Sequence, residues 1–221
     1  MMRISMAFAA LIFTTSLAHA EGFDPENSEN AATHAVQRSN QGDGQITLEF
    51  YNHCPFPIRV GQMGAGDFAY LNPYEGTERW IGGDDAPHLA LAYYGYKHDS
   101  HPGFGNMSLA EFSFNTSFQW LDFYNISLVD GFNLPIDISA VGAACEPASC
   151  NADLLPGCPD SQRIWQNGWT IACSKFGDRD TPWNPAAQHF ANACPGAYSW
   201  SKDDSKVRGC NAQDYRVTFC K

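Results

Sequence analysis

Positive charge is scarce in this chain. Its 221 residues include 13 Lys and Arg against 24 Asp and Glu, a formal net charge of −11. Phosphate backbones are bound by basic patches, so this balance argues against a nucleic-acid partner. Beyond the N-terminus no apolar run approaches bilayer-spanning length, so an integral membrane protein is not expected. Internal repeats and low-complexity tracts are lacking. No CxxC pair occurs and no His sits at ligand spacing from a cysteine, so the sequence suggests neither a metal site nor a cofactor.

What is present begins with a targeting pattern. Met1-Met2-Arg3 is a short positive start, Ile4 to Leu17 is apolar, and Ala18-His19-Ala20 is a small-x-small cleavage site, so residues 1–20 read as a signal peptide and the protein as secreted. Residues 21–44 are polar, contain Pro, Asn, Ser and Gly, and lack apolar periodicity; they read as a disordered leader. Residues 45–221 are of a size for one domain.

Eight cysteines follow the signal: Cys54, Cys145, Cys150, Cys158, Cys173, Cys194, Cys210 and Cys220. An even count in an exported chain implies disulfides, because that compartment is oxidising. Spacing alone leaves about a hundred pairings open. Alternating or β-branched runs at Gln45–Tyr51, Pro57–Gln62, Phe68–Leu71, Glu78–Ile81, His88–Tyr94, Leu109–Phe114, Trp120–Leu128, Leu134–Ile138 and Tyr215–Cys220, punctuated by Gly, Pro, Asn and Asp, predict a mainly β sandwich or barrel. A single helix is expected after Asn184 as N-cap, with Pro185 first and Pro195 as the stop.

The stretch LAEFSFNTSFQWLDFYNISLVDGFNLPIDI, residues 109–138, places Glu111, Asn125 and Asp130 among aromatics. Carboxylates bond sugar hydroxyls and aromatic faces stack on sugar rings, so this composition suits carbohydrate. Phe132 and Tyr124 are candidates for stacking, as are Tyr198 and Trp200, which would share one face of an extended segment. The bland alternative is that the aromatics are core and that Asp130-Gly131 is an ordinary turn pair.

This stretch closely resembles the central segment of thaumatin-like proteins (the pathogenesis-related group 5 family), in which AEF, FYDVSLVDGFN and a Pro-Ile/Met-Asp run are typical. ACEPASCNADLLPGCP and ACPGAYSWSKDDSKVRGC resemble two further blocks of that family. The resemblance covers residues 45–221 and implies a thaumatin-like flattened β-sandwich with a disulfide-rich loop and short-helix region beside it, and a cleft between them. It also implies the pairs Cys54–Cys220, Cys145–Cys210, Cys150–Cys194 and Cys158–Cys173. The cysteine-rich signature that the family carries between its first strand and its centre is absent, since no cysteine lies between Cys54 and Cys145.

The family lines its cleft with an Arg, a Glu and three Asp. Glu111 matches the Glu, Asn125 stands where the first Asp is usual, Asp130 matches the second, and Asp203 or Asp204 the third. The Arg has no counterpart by position; Lys97, His98 and His101 are candidates for its charge. Glycoside hydrolysis needs two carboxylates flanking one bond, which selects Glu111 as general acid and Asp130 as its partner. The implied function is a monomeric secreted protein that binds, or weakly hydrolyses, cell-wall β-1,3-glucan, with an antifungal role. The competing expectation is a non-catalytic defence, virulence or inhibitor protein working by protein or membrane-surface contact. Sequons at Asn106, Asn115 and Asn125 are glycosylation candidates, and a glycan on Asn125 would obstruct the cleft.

Overall fold

The computed structural model describes residues 46–81, 88–114, 121–212 and 214–221; the expected signal peptide and leader lie outside them. Fourteen strands are described: β1 Ile46–Asn52, β2 Ile58–Gln62, β3 Gly66–Leu71, β4 Gly76–Ile81, β5 His88–Lys97, β6 Leu109–Phe114, β7 Asp122–Ser127, β8 Gly131–Phe132, β9 Ile136–Val141, β10 Ala148–Cys150, β11 Arg163–Gln166, β12 Trp169–Ser174, β13 Arg208–Cys210 and β14 Asp214–Phe219. Among the described residues one α-helix, α1, spans Pro185–Ala193. Each of the nine expected runs overlaps a strand; Gln45 and Trp120, which begin two of them, lie outside the described residues. The five that were not expected are short (β8, β10, β13) or belong to a hairpin, β11–β12, turning at Asn167-Gly168.

Two sheets make the sandwich. One runs β10-β9-β14-β1-β4 and the other β13-β7-β6-β5-β2-β3, while β11-β12-β8 forms a small third sheet. The first and last strands lie side by side: β1 pairs with β14 in parallel, Thr47 opposite Asp214 through Asn52 opposite Phe219. Strict alternation in β1 sends Ile46, Leu48 and Phe50 inward, with Thr47, Glu49 and Tyr51 partly exposed. The sheets meet through aromatic rings: Phe112 of β6 and Tyr124 of β7 lie 5.8 and 5.4 Å from Tyr215 of β14. Burial of such large apolar surfaces supplies the main driving force of the fold.

Several buried polar groups in this core are paired. The Asn52 side-chain amide donates to the carbonyls of Phe56, Leu71 and Asn72, and its oxygen accepts from the Cys54 amide, closing the turn after β1. The Tyr215 hydroxyl of β14 donates to Asp122 Oδ2 of β7 at 2.7 Å, joining the two sheets. At Gly95 the sheets approach so closely that a Cβ would sit 2.6 Å from the Phe219 ring, leaving room for glycine alone.

The disulfide-rich region begins after β9. The four pairs formed are Cys54–Cys220, Cys145–Cys210, Cys150–Cys194 and Cys158–Cys173, and no cysteine is free. Cys150 ends β10 and Cys194 follows α1, so that bond ties the helix to the five-stranded sheet. The helix begins as expected: Asn184 Oδ1 accepts from the Ala186 and Ala187 amides, and Pro185 occupies the first position. Ala186, Ala187 and Phe190 are buried. Among the described residues no helix is long and apolar enough to cross a membrane.

Cys54–Cys220 closes a loop of 166 residues. Replacing both by Ser should lower the unfolding free energy by about 5 kcal/mol, as loop-closure entropy predicts for a loop of this length. Chemical denaturation of the two-Ser variant checks this, and an unchanged midpoint would show that β1–β14 pairing alone holds the chain ends.

Candidate functional site

The site is built on the outer face of the six-stranded sheet. In the β6–β7 ladder Glu111 is directly opposite Asn125, and Phe112 opposite Tyr124. Successive strand residues point to opposite faces, so Glu111 and Asn125 share the outer face while Phe112 and Tyr124 enter the core. Asn125 is buried. Glu111 is half-buried, and its Oε2 is shielded from water without a hydrogen-bond partner among the described residues, as is Asn125 Oδ1.

Asp130 lies at the bend after β7 and is held by Arg179. The guanidinium Nη1 donates to both carboxylate oxygens at 2.6 Å. Arg179 is the cation paired with Asp130, and the sequence reading did not single it out. It follows β12, 49 residues downstream of its partner. Of the three earlier candidates, Lys97 pairs with Asp99 at 3.5 Å, His98 accepts from Arg59 Nε, and His101 packs on Tyr96 and Phe104. None of them serves Asp130.

The backbone around this ion pair is pinned from below. The Lys175 amide donates to the Asp130 carbonyl at 3.0 Å, and the buried Lys175 Nζ donates to the carbonyls of Ser199 and Arg179 at 2.8 and 3.5 Å. Burial lowers the pKa of that ammonium. Asp130-Gly131 is not a left-handed turn pair. Gly131 opens β8, and a Cβ there would meet the Cys173 carbonyl at 2.7 Å and Asn106 Cα at 2.9 Å, so close backbone approach selects the glycine.

Two carboxyls in different surroundings have different proton affinities. Burial pushes Glu111 up to about 8; Asp130 adds to the rise, while Arg179 and a hydrogen bond from Asn125 oppose it. Burial also raises Asp130, but the charge and hydrogen bond of Arg179 work against that rise. Glu111 thus keeps its proton near neutrality beside a salt-bridged Asp130. A carboxyl that holds a proton at the working pH can donate it to a sugar oxygen.

The remaining expected residues divide. Tyr198 joins the site: its amide donates to the Ile126 carbonyl, and its hydroxyl donates to Asp204 Oδ1 at 3.4 Å. Burial raises its pKa, and the negative charges of Asp204, Glu111 and Asp203 add to the rise, so one phenol senses all three acids. Asp203 accepts from the Ser205 hydroxyl at 3.1 Å and lies 4.0 Å from Lys206. Asp204, the neighbour left open beside it, is the acid bonded to Tyr198.

Tyr124 and Phe132 are corrections. Both are fully buried; Tyr124 lies on the core face with its hydroxyl on the Glu146 carbonyl, and Phe132 packs on Phe190 of α1. Neither can stack on a sugar. Tyr198 and Trp200 make no shared platform, because their segment bends and Tyr198 is 4% exposed while Trp200 is half-buried. Asn125 is too buried to carry a glycan, Asn106 uses its side-chain amide on the Pro102 carbonyl, and Asn115 lies outside the described residues. Among the described residues no group of three or more His, Cys, Asp or Glu is arranged to hold a metal ion. A surface depression lined by Glu49, Tyr51, Glu78 and Arg216 lies on the other sheet and contains none of these residues.

Titration of Glu111 has a signed consequence. Its ordinary value is 4.5 and its folded value about 8, so between these pH values the native state binds more protons than the unfolded one. Stability contributed here is present below the lower value and is lost as pH rises through the window. Glu111→Gln should therefore gain stability relative to the parent from about pH 5 to about pH 8, by up to about 1.4 kcal/mol per pH unit. Denaturation curves at several pH values check this; parallel pH dependences for the two proteins would show that Glu111 is ionised throughout.

The family model described as the Thaumatin family matches residues 97–221. Pathogenesis-related thaumatin-like protein 3.5 of Cryptomeria japonica is 38% identical over 133 residues, which are 52% of this chain and 54% of that protein. A Prunus avium protein named glucan endo-1,3-beta-glucosidase is 38% identical over 120 residues, 45% of this chain and 49% of its own length. The chain spans about half the length of the curated relatives it matches. A solved thaumatin-like xylanase inhibitor overlays with a TM-score of 0.41 at 13% identity, covering 79% of this chain and 99% of that one. The family match spans more than half of the sequence and includes Glu111, Asp130, Tyr198 and all cysteines but Cys54. This chain belongs to the thaumatin family.

Proposed function

We propose that this is an exported protein that binds cell-wall β-1,3-glucan at the Glu111–Asp130–Arg179 site, with hydrolysis slow at most and an antifungal role. The observation that carries the reading is the shielded Glu111 carboxyl, opposite Asn125 on the β6–β7 ladder, beside the Asp130 carboxylate that Arg179 holds at the bend after β7, two acids able to bond sugar hydroxyls. The name of the Prunus avium relative supports the choice of linkage. Four disulfides support export, since such bonds persist in oxidising compartments.

The chemistry available is that of a carboxyl pair. Glu111 would protonate the glycosidic oxygen as the bond to the anomeric carbon breaks, and Asp130 would attack that carbon or deprotonate the incoming water. Both Asp130 oxygens are occupied by Arg179, which stabilises the anion and weakens it as nucleophile or base. Retention of glucan is thus favoured over turnover. A second reading, a non-catalytic defence or inhibitor protein acting by protein or membrane-surface contact, is favoured by Asn125, which puts an amide where the family has a further acid.

Incubation of the disulfide-intact protein with insoluble β-1,3-glucan and with laminarin separates these readings. We expect retention on the solid, little release of reducing ends, and loss of retention in Glu111→Gln plus Asp130→Asn. Retention unchanged by the double substitution would place binding elsewhere.

A further inference from the structure

Two turns in the disulfide-rich region share one backbone shape and differ in one residue. At the tip of the β11–β12 hairpin, Asn167 and Gly168 have φ of 51° and 83°. After β12, Phe176 and Gly177 also have φ of 51° and 83°, closed by a bond from the Asp178 amide to the Lys175 carbonyl. Both have the pair of left-handed central residues that defines a type I′ turn, in which Asn, Asp or Gly is favoured first. A phenylalanine in that position is strained by its Cβ. The hairpin shows that the chain has the ordinary solution in use a few residues away.

Packing does not explain the phenylalanine. Its side chain is 62% exposed, and among the described residues no aromatic ring lies against it. Tyr74, another left-handed aromatic with an exposed ring, differs in having His53 packed edge-on at 5.5 Å. Backbone strain and an exposed apolar ring both cost stability, and such costs concentrate where a ligand is bound.

The position of the turn supplies the ligand. Lys175, before Phe176, bonds the Asp130 carbonyl, and Arg179, three residues after it, grips the Asp130 carboxylate. Both flanks of the turn are therefore anchored on the same acid, so the turn that carries the exposed Phe176 borders the site. An exposed ring beside hydroxyl-binding carboxylates is the arrangement that takes a pyranose ring, with its C–H face on the aromatic and its hydroxyls on the acids. An acidic chain with few cations is also suited to a neutral saccharide and not to an anionic surface.

We infer that Phe176 is a saccharide-stacking residue, holding a sugar unit adjacent to the one at Glu111 and Asp130. This rests on the glucan reading above and adds a subsite to it. The turn geometry predicts an unusual pair of effects: replacing Phe176 by the turn-favoured Asn relieves strain while it removes the platform.

Calorimetric titration with laminari-oligosaccharides, alongside thermal melts, tests this on the parent, Phe176→Asn, Phe176→Trp and Glu111→Gln. Expected are roughly tenfold or weaker binding by Phe176→Asn, a melting temperature no lower than the parent's, and binding retained by Phe176→Trp. Parental affinity in Phe176→Asn, with Glu111→Gln impaired, would overturn the stacking role and leave the glucan reading intact. A fall in both melting temperature and affinity would make Phe176 structural and equally overturn it. A parent that binds no laminari-oligosaccharide would overturn the glucan reading and this inference with it.

Discussion

The register of one strand pair decides both the core and the site. In β6–β7, Glu111 opposite Asn125 and Phe112 opposite Tyr124 are alternate rungs of a single ladder. A slip of one residue in one strand would turn its Phe or Tyr toward water and its Glu or Asn into the sandwich. The aromatic contacts of Phe112 and Tyr124 with Tyr215 fix that register, and the acid face comes with it. Site geometry here is thus a by-product of core packing, which gives the outer carboxyl a rigid base.

On that base, electrostatics divide the labour between two acids. Desolvation is the dominant influence on both Glu111 and Asp130. They differ in how close the cation lies: Arg179 sits 2.6 Å from both Asp130 oxygens, while Glu111 feels it only as a weaker, opposing influence. Burial still raises the proton affinity of both acids, and the bonded cation opposes that rise directly at Asp130. Asn125 contributes by absence of charge, since a second acid opposite Glu111 would raise its proton affinity further.

Much of this was legible in the sequence, and the limits have physical causes. Period-two alternation located the long strands, and the spacing of motifs shared with a known family located the cysteine pairs. Alternation also separates Tyr124 from Asn125, since neighbours on one strand cannot both face a ligand. Arg179 was invisible because it reaches Asp130 through β8, a two-residue strand too short for any periodicity, and through a turn whose shape depends on backbone angles. The β11–β12 hairpin did carry a local signal in Asn167-Gly168, flanked by Trp165 and Trp169. Phe176 shows the opposite case, a residue that local turn preferences would reject.

The most direct test of the central claim is to map the glucan contact on the protein by amide chemical-shift changes as laminari-oligosaccharide is added. The account predicts that the largest changes cluster at Glu111, Asn125, Asp130, Lys175 to Arg179 and Tyr198. Changes confined to the β1–β4 face around Glu49, Glu78 and Arg216, or spread without a cluster, would contradict it.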